Sequence, residues 1–107
     1  MRIVNEKALE SKLWTFSKGE ASSRHIIDTP EISISVSVIA PNSQLPDEPH
    51  VNKRHEMLYV SEGSLQVSVG QEIETASSGD FIIFEPYEGH RLFTGKDQVT
   101  LFEVFWK

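Results

Sequence analysis

Two histidines and a glutamate open the stretch HVNKRHEMLYVSEGSLQVSVG, residues 50–70: His50, His55 and Glu56. A further histidine, His90, stands late in a second polar-to-apolar stretch, GDFIIFEPYEGHRLF. Imidazole nitrogens and carboxylates carry protons and bind metals. Two histidines with one carboxylate make a facial triad that leaves open positions on a divalent ion. Glu56 leads straight into Met-Leu-Tyr-Val, so its carboxylate is drawn toward the interior, where it needs a partner or a cation. The bland reading is that these are hydrogen-bonded polar groups at loop-to-strand junctions, the commoner state of histidines beside apolar runs. His25, in SSRHIID, reads as a surface or edge residue. With no cysteine in the chain, disulfides and thiolate metal sites are excluded. The sequence contains no Gly-rich phosphate loop or nucleophile elbow.

The elements that must position these groups are short strands. EISISVSVIA alternates Ile32, Ile34, Val36 and Val38 with Ser33, Ser35 and Ser37, which predicts an aliphatic buried face and a polar face. PNSQLPDEP carries three prolines and is expected to be loop. HEMLYV, SLQVSV, IETA, FIIF, RLFT and VTLFEVFW follow, separated by SEG, GQE, SSGD, EPYEGH and GKDQ. Short strands with regular turn punctuation indicate an all-β sandwich or barrel. Asn5 is placed to cap a helical turn or two within NEKALESKLW. Tyr59, Phe84, Phe93, Phe102 and Trp106 are candidates for the barrel interior.

The last strand is apolar on both faces. Thr100, Phe102, Val104 and Trp106 share one face, and Val99, Leu101 and Phe105 the other. Such a strand is covered from both sides, either by a second subunit or by an N-terminal segment using Leu13 and Trp14. A homodimer is the expectation.

A chain of 107 residues fits one domain, residues 1–107, with a core that needs no staples. A formal net charge of -6 repels phosphate backbones, which argues against nucleic acid. No stretch approaches membrane-spanning length and the N-terminus lacks a signal-peptide core, so a cytoplasmic protein with no membrane partner is expected.

Strand parity puts His50, Asn52 and Glu56 on one face with Leu58 and Val60, and His55 on the other with Met57 and Tyr59. On these residues the sequence resembles a small single-domain cupin. His50, Asn52, Glu56 and Gly63 fall on that family's first motif, and Gly79 and His90 on its second. LYVSEGSLQV and SGDFIIF are similar to the family as well. The resemblance covers roughly residues 26–106. It implies an all-β double-stranded β-helix, or jelly-roll barrel, with a short N-terminal segment. It also implies metal ligation by His50, Asn52, Glu56 and His90. Asn52 departs from the family's histidine, and an amide oxygen is a weaker donor than imidazole. His55 replaces it only if the strand is irregular. Glu85 fills the second motif's proline slot and Tyr87 its glycine slot. Asn42 is expected to make the turn that glycine usually makes, since asparagine tolerates positive φ.

The implied protein is a metal-dependent cupin, with Fe, Mn, Ni or Zn, acting on a small polar or anionic metabolite. Oxygenase, isomerase, decarboxylase and lyase chemistry all fit such a barrel. The alternative is a non-catalytic cupin that binds a sugar or organic acid. Phe84 and the residues flanking His90, notably Tyr87 and Arg91, are the candidates for contact with the small-molecule ligand.

Overall fold

A computed structural model describes residues 1–107, with the side chain of His50 excepted. Ten strands make up the chain after a single 3₁₀ turn at Glu6–Ala8. They are β1 Lys12–Thr15, β2 Glu20–Asp28, β3 Ile32–Ile39, β4 Gln44–His50, β5 His55–Glu62, β6 Ser64–Val69, β7 Glu72–Ser77, β8 Phe81–Phe84, β9 His90–Thr94 and β10 Val99–Trp106. A six-stranded sheet runs β1-β2-β3-β10-β5-β8, and a four-stranded sheet runs β4-β9-β6-β7. From β3 onward the chain crosses repeatedly between the two sheets. Every pairing within them is antiparallel, as a jelly-roll barrel requires. No helix is long and apolar enough to cross a membrane.

The core lies between the sheets. Ile39, Leu58, Val60, Val99 and Leu101 of the larger sheet meet Leu65, Val67, Ala76 and Leu92 of the smaller. Gly63 makes the tight β5–β6 turn at φ +89°, and a Cβ there would stand 2.6 Å from the Gln98 carbonyl oxygen. Asn42 sits at φ 56°, in the left-handed conformation expected of it. Tyr87, in the slot where the family has glycine, is also left-handed at φ 67°.

Four readings need correction. The alternation in β3 is real, but its faces are reversed. Ser33, Ser35 and Ser37 are buried inward, whereas Ile32, Ile34, Val36 and Val38 stand half-buried on the outer face. That outer face is apolar beyond β3. Phe102 lies between Val36 and Tyr59, Val104 between Ile34 and Met57, and Trp106 between Ile32 and His55. Period two identifies two faces, and a sheet whose outside is also apolar does not announce which one is inside.

Second, PNSQLPDEP is not all loop, because Gln44–His50 forms β4. It is an edge strand with a register break between Leu45 and His50, where prolines lacking N–H groups are tolerated. Third, the N-terminal helix shrinks to one turn. Asn5 does cap it, accepting from Lys7 N, but KLWT pairs as β1 on β2 instead of continuing the helix. Last, Phe84 alone of the five proposed interior aromatics is fully buried. Tyr59, Phe102 and Trp106 lie on the outer face, and Phe93 points outward next to the buried Leu92.

Candidate functional site

Glu56 and His90 come from different sheets and meet inside the barrel. Each is the second or first residue of its strand, in phase with an apolar residue two places on: Leu58 after Glu56, Leu92 after His90. Both are about 5% exposed. His90 Nε2 lies 3.3 Å from Glu56 Oε1, an ion-pair distance. Among the described residues, buried Oε1 has no hydrogen-bond partner. The His90 ring stacks on Phe84, with centroids 3.7 Å apart and planes 7° apart.

The other ring nitrogen, Nδ1, stands 3.3 Å from the Glu88 carbonyl oxygen. With Nδ1 donating to that carbonyl, Nε2 carries the lone pair in the neutral ring. Two electron-rich atoms, Nε2 and Oε1, then face each other at 3.3 Å. Such a pair is stable only with a proton or a cation between them. Burial disfavours the charged ring, and this is the largest single influence on His90. The Glu56 carboxylate, then the Glu88 carbonyl and side chain, together outweigh it and raise the pKa above the usual 6.5.

A cavity of about 320 Å³ opens beside this pair. Its walls come from β1, β2, β3, β4, β5, β9 and β10, and include Glu56, His90 and Glu103. Glu103 was not among the residues singled out from the sequence. It points inward between Leu101 and Phe105, opposite Ser35 on β3 and Leu58 on β5. Ser37 lines the same cavity, and its hydroxyl favours the charged form of the carboxyl. Burial pushes the Glu103 carboxyl up from 4.5 to about 7; the Ser37 hydroxyl and nearby His90 oppose that rise, and the Glu56 charge adds to it. The signal was present in VTLFEVFW as a lone acid in phase with the inward apolar residues. Ser23, Ser35 and Ser37 also line the cavity, as do Trp14 and Phe16.

Asn52 Oδ1 accepts from Arg54 N, and Asn52 O accepts from Tyr87 N at 2.7 Å, tying the two motif loops together. The His50 side chain lies outside the described residues. His55 is on the outer face, stacked on Trp106 and 3.7 Å from Glu85 Oε2, so it points away from Glu56. The groups expected to contact ligand are placed around His90 and not in the cavity wall. Phe84 backs the imidazole, Tyr87 is 68% exposed, and Arg91 Nε donates to the Pro46 carbonyl with its guanidinium over Phe93. His25 is exposed, yet it borders the cavity.

Comparison with known proteins places these features. The fold matches a predicted oxalate decarboxylase from Thermotoga maritima with a TM-score of 0.88, at 13% identity and covering 98% of each chain. It matches a polyketide cyclase from Streptomyces resistomycificus with a TM-score of 0.84, at 23% identity, over 99% of this chain and 79% of that one. A sugar phosphate isomerase from Silicibacter pomeroyi aligns with a TM-score of 0.83, at 18% identity, over 99% of this chain and 76% of the other. At such identities the likeness is one of fold. No curated protein matches by sequence. The cupin domain family matches residues 35–105, the segment from the serine-lined strand through the inward glutamate of β10, and the chain is therefore a member of the cupin family.

Proposed function

We propose that this cupin is a metal-dependent small-molecule protein whose divalent ion is held by Glu56 and His90, with His50 and Asn52 completing the donor set. The observation that carries this reading is the buried Glu56 Oε1. Among the described residues it has no hydrogen bond, and it faces His90 Nε2 at 3.3 Å, with the Glu88 carbonyl beside the opposite ring nitrogen. Orientation of a ligating imidazole by a carbonyl on its far nitrogen is a recurring feature of metal sites. Asn52 Oδ1 already accepts one hydrogen bond and would contribute its second lone pair. An all-N/O donor set suits Fe, Mn, Ni or Zn. Once bound, the ion supplies a Lewis acid at the wall of the cavity. The protein's own part is to orient His90 between Phe84 and Glu88, to keep bulk water from the pair, and to hold a proton on Glu103 beside it. Decarboxylase, cyclase and isomerase are the names carried by the fold's relatives, and this barrel is compatible with each.

The raised pKa of His90 favours a second reading, in which a proton alone joins the pair and the cavity only binds its ligand. Metal analysis of protein purified without a histidine tag, beside Glu56→Gln and His90→Ala, separates the two. Stoichiometric metal in the wild type and loss in both variants is expected. Full occupancy in both variants would place the ion elsewhere. We also propose a homodimer formed through the apolar outer face of the larger sheet.

A further inference from the structure

We propose that the cavity takes an uncharged ring compound bearing a hydroxyl group, and that Glu103 is the residue that hydrogen-bonds that hydroxyl. This deepens the small-molecule reading above and rests on it for the cavity being the ligand site.

The charge of the walls carries the first half. Among the described residues, the titratable groups facing the cavity are Glu56 from β5, Glu103 from β10, His90 from β9 and His25 from β2. No lysine or arginine lines it. Lys12 and Arg54 come near, but each is stacked on the ring of a lining aromatic, Trp14 at 4.2 Å and Phe105 at 5.2 Å. An anionic ligand would meet two carboxyl groups in a partly dry space, where the His90 ring is already paired with Glu56 at 3.3 Å. Desolvating an unpaired charge there is costly.

Shape and polarity carry the second half. At about 320 Å³ the space is at the small end of ligand sites, which run roughly 300–1,000 Å³. Trp14, Phe16 and Phe105 supply flat apolar surface, while Ile39, Leu58 and Leu92 floor it. Besides His25, Glu56 and His90, the polar groups are Ser23, Ser35, Ser37 and Glu103, which lie on the adjacent strands β2, β3 and β10. One of these hydroxyls is committed: Ser23 accepts from Trp14 Nε1 at 2.9 Å, which fixes the indole. Glu103, in register with Ser35, presents its carboxyl to the same space as Ser35 and Ser37. A carboxyl that is half protonated near neutrality can donate to a hydroxyl or accept from one. An apolar body with one or two hydroxyl groups on one side complements such a surface.

The test is calorimetric titration of the full chain at pH 7 in excess chelator, with 2-naphthol and with 2-naphthoate. These share a ring system and differ in charge. We expect 2-naphthol to bind at least about tenfold tighter, the equivalent of one unpaired-charge penalty. Glu103→Ala should weaken 2-naphthol roughly three- to tenfold, one hydrogen bond's worth. Glu103→Gln, which keeps the shape and an amide, should stay within about threefold. Equal or tighter binding of 2-naphthoate, or no binding of either probe, overturns the ligand class. Unchanged affinity in a folded Glu103→Ala overturns the role of Glu103. Because chelator is present throughout, these results are independent of metal occupancy, which is measured separately.

Discussion

Phe84 and His90 lie ring upon ring, 3.7 Å between centroids, and belong to opposite sheets. The stack pins the imidazole that the two sheets share. Phe84 is 3% exposed, so Phe84→Ala should cost about 3–5 kcal/mol, through a cavity and the lost ring contact. Urea unfolding measures it. A loss below 1 kcal/mol would mean the ring is not holding the two sheets together.

Adding divalent metal to chelator-stripped protein should raise its melting temperature. At a hundredfold excess over Kd the linkage is about 2.7 kcal/mol, and in a chain this size that is roughly 10 °C or more. The rise should vanish in Glu56→Gln. An unshifted melting curve with every candidate ion would count against a resident metal.

Glu103 makes stability depend on pH. Its folded pKa is raised from 4.5 to about 7, so between those values the native state holds more protons than the unfolded chain. Stability therefore falls as pH climbs from about 4.5 through 7, by at most about 3 kcal/mol. The raised pKa of His90 acts in the same direction, so the contrast with Glu103→Gln isolates the glutamate. Denaturant midpoints at pH 5 and pH 8 should fall further apart in wild type than in the variant. Identical slopes would show that Glu103 is solvated.

Gly63→Ala should destabilise the barrel by about 2 kcal/mol or more. The position has positive φ and a Cβ would collide with the Gln98 carbonyl, backbone that has little room to yield. Thermal unfolding checks it, with Gly70→Ala as a comparison, since no atom lies within 4 Å of a Cβ there.

Val104 sits mid-sheet on the outer face, between Ile34 and Met57. Light scattering at micromolar concentration should show a dimer for the wild type and a monomer for Val104→Asp. A monomeric wild type would remove the proposed interface.

Much of the barrel can be read directly from the chain, because Gly, Asn, Ser or Pro punctuates the turns and strands such as β3, β5 and β6 keep period two. Glu56 and His90 were identifiable as a pair, since both start strands whose next in-phase residue is leucine. What the period cannot supply is the sign of a face. In β3 the branched aliphatics pointed the reading outward-in, and only pairing with β10 and β5 shows where serine goes. Glu103 is hard to read for a related reason, being a single acid in an otherwise apolar strand. Tyr87 and Arg91 are near His90 in sequence, but neighbouring residues on a strand or tight turn alternate in direction, and nearness along the chain does not make them face the same space.

Serines where a small barrel would ordinarily stack valine and isoleucine leave its bore unplugged. Filling that space, for instance with Ser35→Leu, ought to give a stiffer and more heat-resistant protein that has lost its capacity for guests. By that trade the hollow is maintained at the expense of robustness.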